Sequence, residues 1–140
     1  MSSATELGEL LNAAARAFSQ QGRARFGEHG LSPARVRLLT TLGERTDVRM
    51  RDLADLLGVT GRAVTATVDS LESEGLVARK PDPSDRRAFQ LVLTKEGLAA
   101  LDRIKQLQQQ VSEEIFRGLS AAERDQLAAL LRTFLSGRTC

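Results

Sequence analysis

The sequence predicts a mainly α-helical chain carrying one small antiparallel β-hairpin, and three observations predict it. Apolar residues recur at helical spacing over most of the 140 residues. Near residue 90 the period changes: Phe89, Leu91 and Leu93 alternate with Gln90, Val92 and Thr94, the period of a half-buried strand. Glycines able to stop helices and hydroxyl residues able to cap them fall between these segments.

The elements follow in order. Thr5 to Phe26 is expected to be helical, with Leu7, Leu11, Ala14 and Phe18 on one stripe. Ser32-Pro33 reads as N-cap and first helical residue of a helix running to about Glu44. From Met50 a short helix should bury Leu53, Leu56 and Leu57 and stop at Gly58. Val59 is expected to pack inward and Thr60 to cap the next helix, in which Val64, Val68 and Leu71 form the buried stripe at i, i+4 and i+7. Gly75 ends it.

Leu76 to Lys80 and Ala88 to Thr94 read as paired strands, with Phe89, Leu91 and Leu93 inward. Pro81 to Arg87, with two prolines and a serine, reads as a stiff loop rather than a two-residue turn. Thr94 should cap a long helix to about Gly118 that carries Leu98, Leu101, Ile104, Val111 and Ile115. Ser120-Ala121-Ala122-Glu123 is a capping box opening a last helix with Leu127, Leu130, Leu131, Phe134 and Leu135 on a broad apolar face.

The central segment therefore has the layout of a helix-turn-helix followed by a basic wing. The outer face of the second motif helix holds Thr60, Gly61, Arg62, Thr65, Ala66 and Asp69, mostly small residues that let a helix backbone approach a groove floor. A plain solvated face is the competing account of the same residues. In the loop, Asp85 stands two residues before Arg87 on an extended segment, so its carboxylate is expected to hold the Arg87 guanidinium, with Arg86 beside it. An ordinary surface ion pair is the alternative there.

Taken together these segments closely resemble the MarR (multiple antibiotic resistance regulator) family of winged-helix transcription factors. The matching stretches are Leu31 to Leu39, Leu53 to Val59, Val64-Thr65, Val68 to Glu72, Gly75 to Arg79, Asp82 to Arg87 and Leu93 to Gly97. The wing and the Leu-Thr-x-x-Gly after it are the most diagnostic part, and the resemblance spans nearly the whole chain. It implies that Thr60 to Glu74 is a recognition helix, that Arg62 and Thr65 read bases, and that Arg87 enters the minor groove. Ser32 and Arg51 would contact phosphates. Gly61 and Ala63 depart from the Ser or Pro often found there.

The resemblance further implies a homodimer on a pseudo-palindromic double-stranded operator, with residues 32–94 as the DNA-binding lobe and 1–30 plus 95–140 as the helical dimerisation lobe. The terminal helices packing on their own subunit is the alternative. Repression relieved by a small aromatic or anionic effector is the regulation it suggests, bound in a crevice near the segments of Arg16, Phe18, His29 and Arg35. A winged helix serving only as a protein-interaction module is the competing function.

Composition agrees loosely. Lys+Arg 20 against Asp+Glu 18 gives a formal charge of +2, so placement of charge, not its total, argues for nucleic acid. No apolar run approaches a membrane span and the N-terminus lacks a basic-then-apolar leader, so a cytoplasmic chain without a membrane partner is expected. A single histidine, His29, supports neither a catalytic triad nor, with one cysteine, a zinc site. Gly58 to Arg62 lacks the Lys-Ser or Lys-Thr of a phosphate loop, so neither an enzyme nor a cofactor is expected. With no Trp or Tyr, base stacking on single strands has little to use. Cys140, the last residue, reads as an inert thiol rather than an oxidation sensor.

Overall fold

The computed structural model describes residues 3–138; Cys140 lies outside them. Six helices and three short strands alternate as α1 (Ala4–Glu28), α2 (Pro33–Glu44), β1 (Val48–Arg49), a 3₁₀ turn (Met50–Asp52), α3 (Leu53–Leu57), α4 (Gly61–Ser73), β2 (Val77–Asp82), β3 (Asp85–Leu93), α5 (Lys95–Ile115) and α6 (Ala121–Ser136). The mainly helical fold with one antiparallel hairpin is the one the sequence predicts.

Helix boundaries follow local chemistry. Ser32, Thr60, Thr94 and Ser120 each accept a backbone N–H three residues on, and Glu123 returns a bond to the Ser120 N–H at 2.8 Å, closing the capping box. After α4, Gly75 takes φ 76° and the Leu76 N–H bonds the Leu71 carbonyl at 3.0 Å, a left-handed stop that turns the chain into β2. The Leu-Thr-x-x-Gly stretch has a steric reason. A Cβ on Gly97 would lie 2.0 Å from the Leu76 carbonyl oxygen, so only glycine lets α5 begin that close to the strand.

The core sits between α2, α4, α5 and the sheet. Leu38, Leu39, Leu53, Val68, Leu71 and Ile104 are fully buried, each contributing about 1.5–3 kcal/mol of transfer free energy. Val64, Val68 and Leu71 are the buried stripe of α4, as their spacing requires.

Four local expectations fail. Leu56 and Val59 are each 40% exposed. The five-residue α3 has room to bury only Leu53 and Leu57, one turn apart. Val59 spends its N–H closing the turn on the Ala54 carbonyl, and its side chain stays at the rim of a small groove. The supposed stiff loop is instead a two-residue turn at Pro83-Ser84, because β2 and β3 continue outward to pair Pro81 with Phe89 and Asp82 with Asp85. The third strand, β1, pairs Val48 with Leu91 and Arg49 with Gln90, leaving β2 at the edge where Pro81 is tolerated. Phe89, expected inside, is 48% exposed because this outer row lies beyond the helices that cover Leu91.

The terminal helices are different. Neither α1 nor α6 buries a single residue. Arg25 and Gln21 of α1 reach Glu114 of α5, and Phe18 lies 6.3 Å from Phe116. Helix α6 is tied back through Arg124, which donates to the Phe116 carbonyl at 3.1 Å and pairs with Glu113 at 3.2 Å.

Candidate nucleic-acid interface

Helix α4 presents Gly61, Arg62, Thr65, Ala66 and Asp69 to solvent, with Thr60 exposed at its cap. Both threonine hydroxyls are occupied by backbone: Thr60 Oγ1 accepts from the Ala63 N–H at 3.2 Å and Thr65 Oγ1 donates to the Gly61 carbonyl at 3.0 Å. Thr65 therefore offers its methyl and an accepting lone pair rather than a free donor. Arg62 makes no ion pair or hydrogen bond among the described residues and its guanidinium is open for an outside acceptor.

Asp69 has a partner that sequence reasoning missed. Arg79, on β2, pairs with Asp69 at 2.6 Å and with Glu72 at 2.8 Å. Val77, Arg79 and Pro81 alternate onto the sheet face that carries Leu91, so the strand period alone turns Arg79 toward α4. The double contact ties the middle of α4 to the wing.

The wing differs from expectation at its tip. Asp85 Oδ1 accepts the backbone N–H of Arg87 at 3.0 Å and does not hold its guanidinium. A short carboxylate two residues before an N–H closes a local turn more readily than it reaches a long side chain. Arg86 and Arg87 are exposed and make no ion pair among the described residues.

Behind the tip lies a cluster that also went unnoticed in the sequence. Asp82 has a side chain 1% exposed and lies 2.7 Å from Arg49 Nε. The Ser84 N–H and hydroxyl donate to Asp82 Oδ1 at 2.9 and 2.8 Å. These Ser84 hydrogen bonds, with the positive charges of Arg49 and Arg51, hold the Asp82 carboxyl below the usual carboxylate range, against the opposing effect of burial. No spacing rule links Arg49 to Asp82, because a two-residue strand brings them together.

Ser32 and Arg51 stand exposed at the starts of α2 and of the short motif helix, on the same lobe as α4 and the wing. A crevice of about 360 Å³ opens between α1, α2 and α5, lined by Phe18, Phe26, Val36 and Val111 with Arg23 and Arg37 at its wall. Of the four residues whose segments were expected near such a crevice, only Phe18 lines it. Arg16 lines a neighbouring groove along α1 that shares Ser19 and Arg23 with the crevice, and His29 and Arg35 line a separate cleft. Among the described residues no helix is long and apolar enough to cross a membrane.

A capped helix and a basic hairpin presented by one helical lobe define a winged helix-turn-helix protein. Residues 29–88 match the sequence profile of the MarR family. The chain is 33% identical over 105 residues to the HTH-type transcriptional regulator YkoM of Bacillus subtilis, covering 75% of this chain and 68% of that protein. It is 32% identical over 132 residues to a transcriptional regulatory protein assigned to the hcr operon of Thauera aromatica, covering 94% and 80%. The apo crystal structure of MarR from E. coli superposes with a TM-score of 0.83 at 26% identity, covering 92% of this chain and 96% of MarR. The chain belongs to the MarR family of transcriptional regulators.

Proposed function

We infer that this chain is a homodimeric repressor that binds a pseudo-palindromic double-stranded operator and is released by a small anionic or aromatic ligand. The observation that carries the reading is three arginines whose side chains have no partner among the described residues, Arg62 on α4 and Arg86 and Arg87 on the wing, held by one lobe. In this reading Arg62 and Thr65 meet base edges, while the small residues Gly61 and Ala66 and the cap Thr60 let α4 sit deep in the major groove. Arg86 and Arg87 meet the minor groove, Asp85 shapes the turn that carries them, and Ser32 and Arg51 contact phosphates. Asp69 serves by holding Arg79. A cysteine-to-serine mutant of E. coli MarR has been solved with operator DNA, and this chain superposes on it with a TM-score of 0.68 at 27% identity.

Residues 32–94 form the DNA-binding lobe, and 1–30 with 95–140 the dimerisation lobe. The support for the second is apolar surface left uncovered: Leu7 and Leu10 on α1, and Leu130, Phe134 and Leu135 on α6, are 45–68% exposed. A second copy of the same helices is the partner of matching chemistry. The crevice beside α1 suits an aromatic anion, with phenylalanines for the ring and Arg23 and Arg37 for the charge.

Selection of bound duplexes from a random pool tests the reading. A palindromic consensus with half-sites about one helical turn apart supports it. Enrichment of nothing beyond sequence-blind, salt-sensitive binding overturns it in favour of a protein-interaction module.

A further inference from the structure

Arg49 is the last residue of β1, so the row Arg49–Gln90 is the last that three strands share. Farther out the wing is a two-stranded ribbon, with its register broken between Pro81 and Asp82. Such a ribbon is marginal in water on its own. Arg86 and Arg87 lie there with no side-chain partner among the described residues to order them.

The Arg49 side chain crosses that gap. Its Nε lies 2.7 Å from Asp82 Oδ2, and its Nη2 donates to Ser84 Oγ at 3.0 Å. Ser84 in turn donates to Asp82 Oδ1 through its hydroxyl and its N–H, at 2.8 and 2.9 Å. One guanidinium thus grips both the last strand residue of β2 and the turn itself. Asp82 Oδ2 is buried with no hydrogen-bond partner among the described residues, so the charge of Arg49 is what compensates it.

We propose that Arg49 is a positioning residue for DNA binding: it latches the wing turn through Asp82 and Ser84, and so holds Arg86 and Arg87 at a set reach from α4. The latch rests on the reading of this chain as a DNA-binding protein. It lowers the ordering entropy that the wing would otherwise lose on entering a groove.

A double-mutant cycle on the full chain tests this, using a labelled duplex recovered from the random pool by the wild-type chain. Arg49→Met and Arg87→Ala each weaken binding by roughly five- to fiftyfold, but Arg49→Met costs at least about threefold less once Arg87 is already alanine, the remaining loss acting through Arg86. Equal cost in both backgrounds overturns the latch. So does a drop of about one in the salt-dependence slope when Arg49→Met is added to Arg87→Ala, since that marks a phosphate contact of its own. Asp82→Asn removes the other half of the ion pair and is expected to couple to Arg87→Ala in the same way.

Hydrogen exchange of the Arg86, Arg87 and Ala88 amides reads the latch without DNA. Arg49→Met should speed it by about tenfold, with partial recovery in Arg49→Lys, which keeps the charge but loses the fork. Unchanged exchange overturns the proposal. Failure of the pool to yield any duplex overturns the DNA-binding reading and the role of the latch with it.

Discussion

Arg37 donates a guanidinium hydrogen bond to the carbonyl oxygen of Leu57. Leu57 ends α3, and only Gly58 to Thr60 separate it from α4. The same Arg37 lines the α1–α2–α5 crevice and the small groove beside Ala63, Val64 and Thr67 of α4. If an anion were to bind in the crevice, it would compete with the Leu57 carbonyl for one guanidinium, a route by which occupancy would reach α4. Benzoate, as a minimal aromatic carboxylate, is expected to weaken operator binding by the wild-type chain in an anisotropy titration. Arg37→Met should keep operator affinity within about threefold and lose the benzoate response. An undiminished response in that variant would show that Arg37 carries no coupling.

Base and phosphate contacts separate by their dependence on sequence. Arg62→Ala should cost about 1–3 kcal/mol on the consensus duplex and relax preference at one position of each half-site. Arg51→Ala should weaken consensus and scrambled duplexes alike and flatten the salt slope by about one. Ser32→Ala must be read against its loss of the α2 cap, which by itself destabilises the fold by about 1 kcal/mol. A uniform loss for Arg62→Ala would remove its assignment as a base reader.

Gly97→Ala should be among the more damaging single-methyl changes in the chain. The new Cβ meets the Leu76 backbone oxygen, which also accepts the Thr94 N–H at 3.1 Å and is not free to move aside. Overpacking of this kind costs roughly 1–3 kcal/mol or more, read as a lower denaturation midpoint. Gly43→Ala is the control: its Cβ would meet the end of the Leu101 side chain, which has rotamers to retreat into. Equal losses for the two variants would mean that the helix–strand approach is not the constraint.

The uncovered face of α6 predicts a dimer at micromolar concentration by sedimentation. Leu130 and Leu135 are 68% and 61% exposed on the single chain, so Leu130→Asp with Leu135→Asp should leave the fold intact and yield monomers with little operator affinity. A wild-type monomer mass independent of concentration would count against the arrangement.

Asp82 and Glu123 both have carboxyl groups held below their ordinary range, chiefly by hydrogen bonds from Ser84 and from Ser120 respectively. Below their unfolded values the unfolded chain takes up protons that the folded one resists. Their contribution to stability is therefore full at neutral pH and fades as pH falls below about 4 through the folded values. Asp82→Asn should lower thermal stability at pH 7 and approach the wild type as pH falls through the lowered folded value. A difference that stayed constant over that range would place the effect of the substitution elsewhere.

The caps and stripes of this fold were readable because they are local. Ser32-Pro33, Thr60, Thr94 and the Ser120–Glu123 box act within one helical turn, and Val64, Val68 and Leu71 need only the period of the helix. The resemblance to MarR proteins lay in the same local stretches and extended the reading to the whole chain. Phe89 was misread because alternation reports which face of a strand a residue occupies and not how far the covering helices extend.

By itself, then, the sequence determined the helices, their ends, the hairpin and the basic residues of its wing. Only the tertiary structure decided which charges are spent and which are free. Arg49, Arg79 and Arg37 are engaged with Asp82, with Asp69 and Glu72, and with the Leu57 carbonyl, whereas Arg62, Arg86 and Arg87 have no side-chain partner among the described residues. Identical side chains differ here because a guanidinium's partner depends on what strand pairing and helix packing bring within about 3 Å, and most of those partners are distant in sequence.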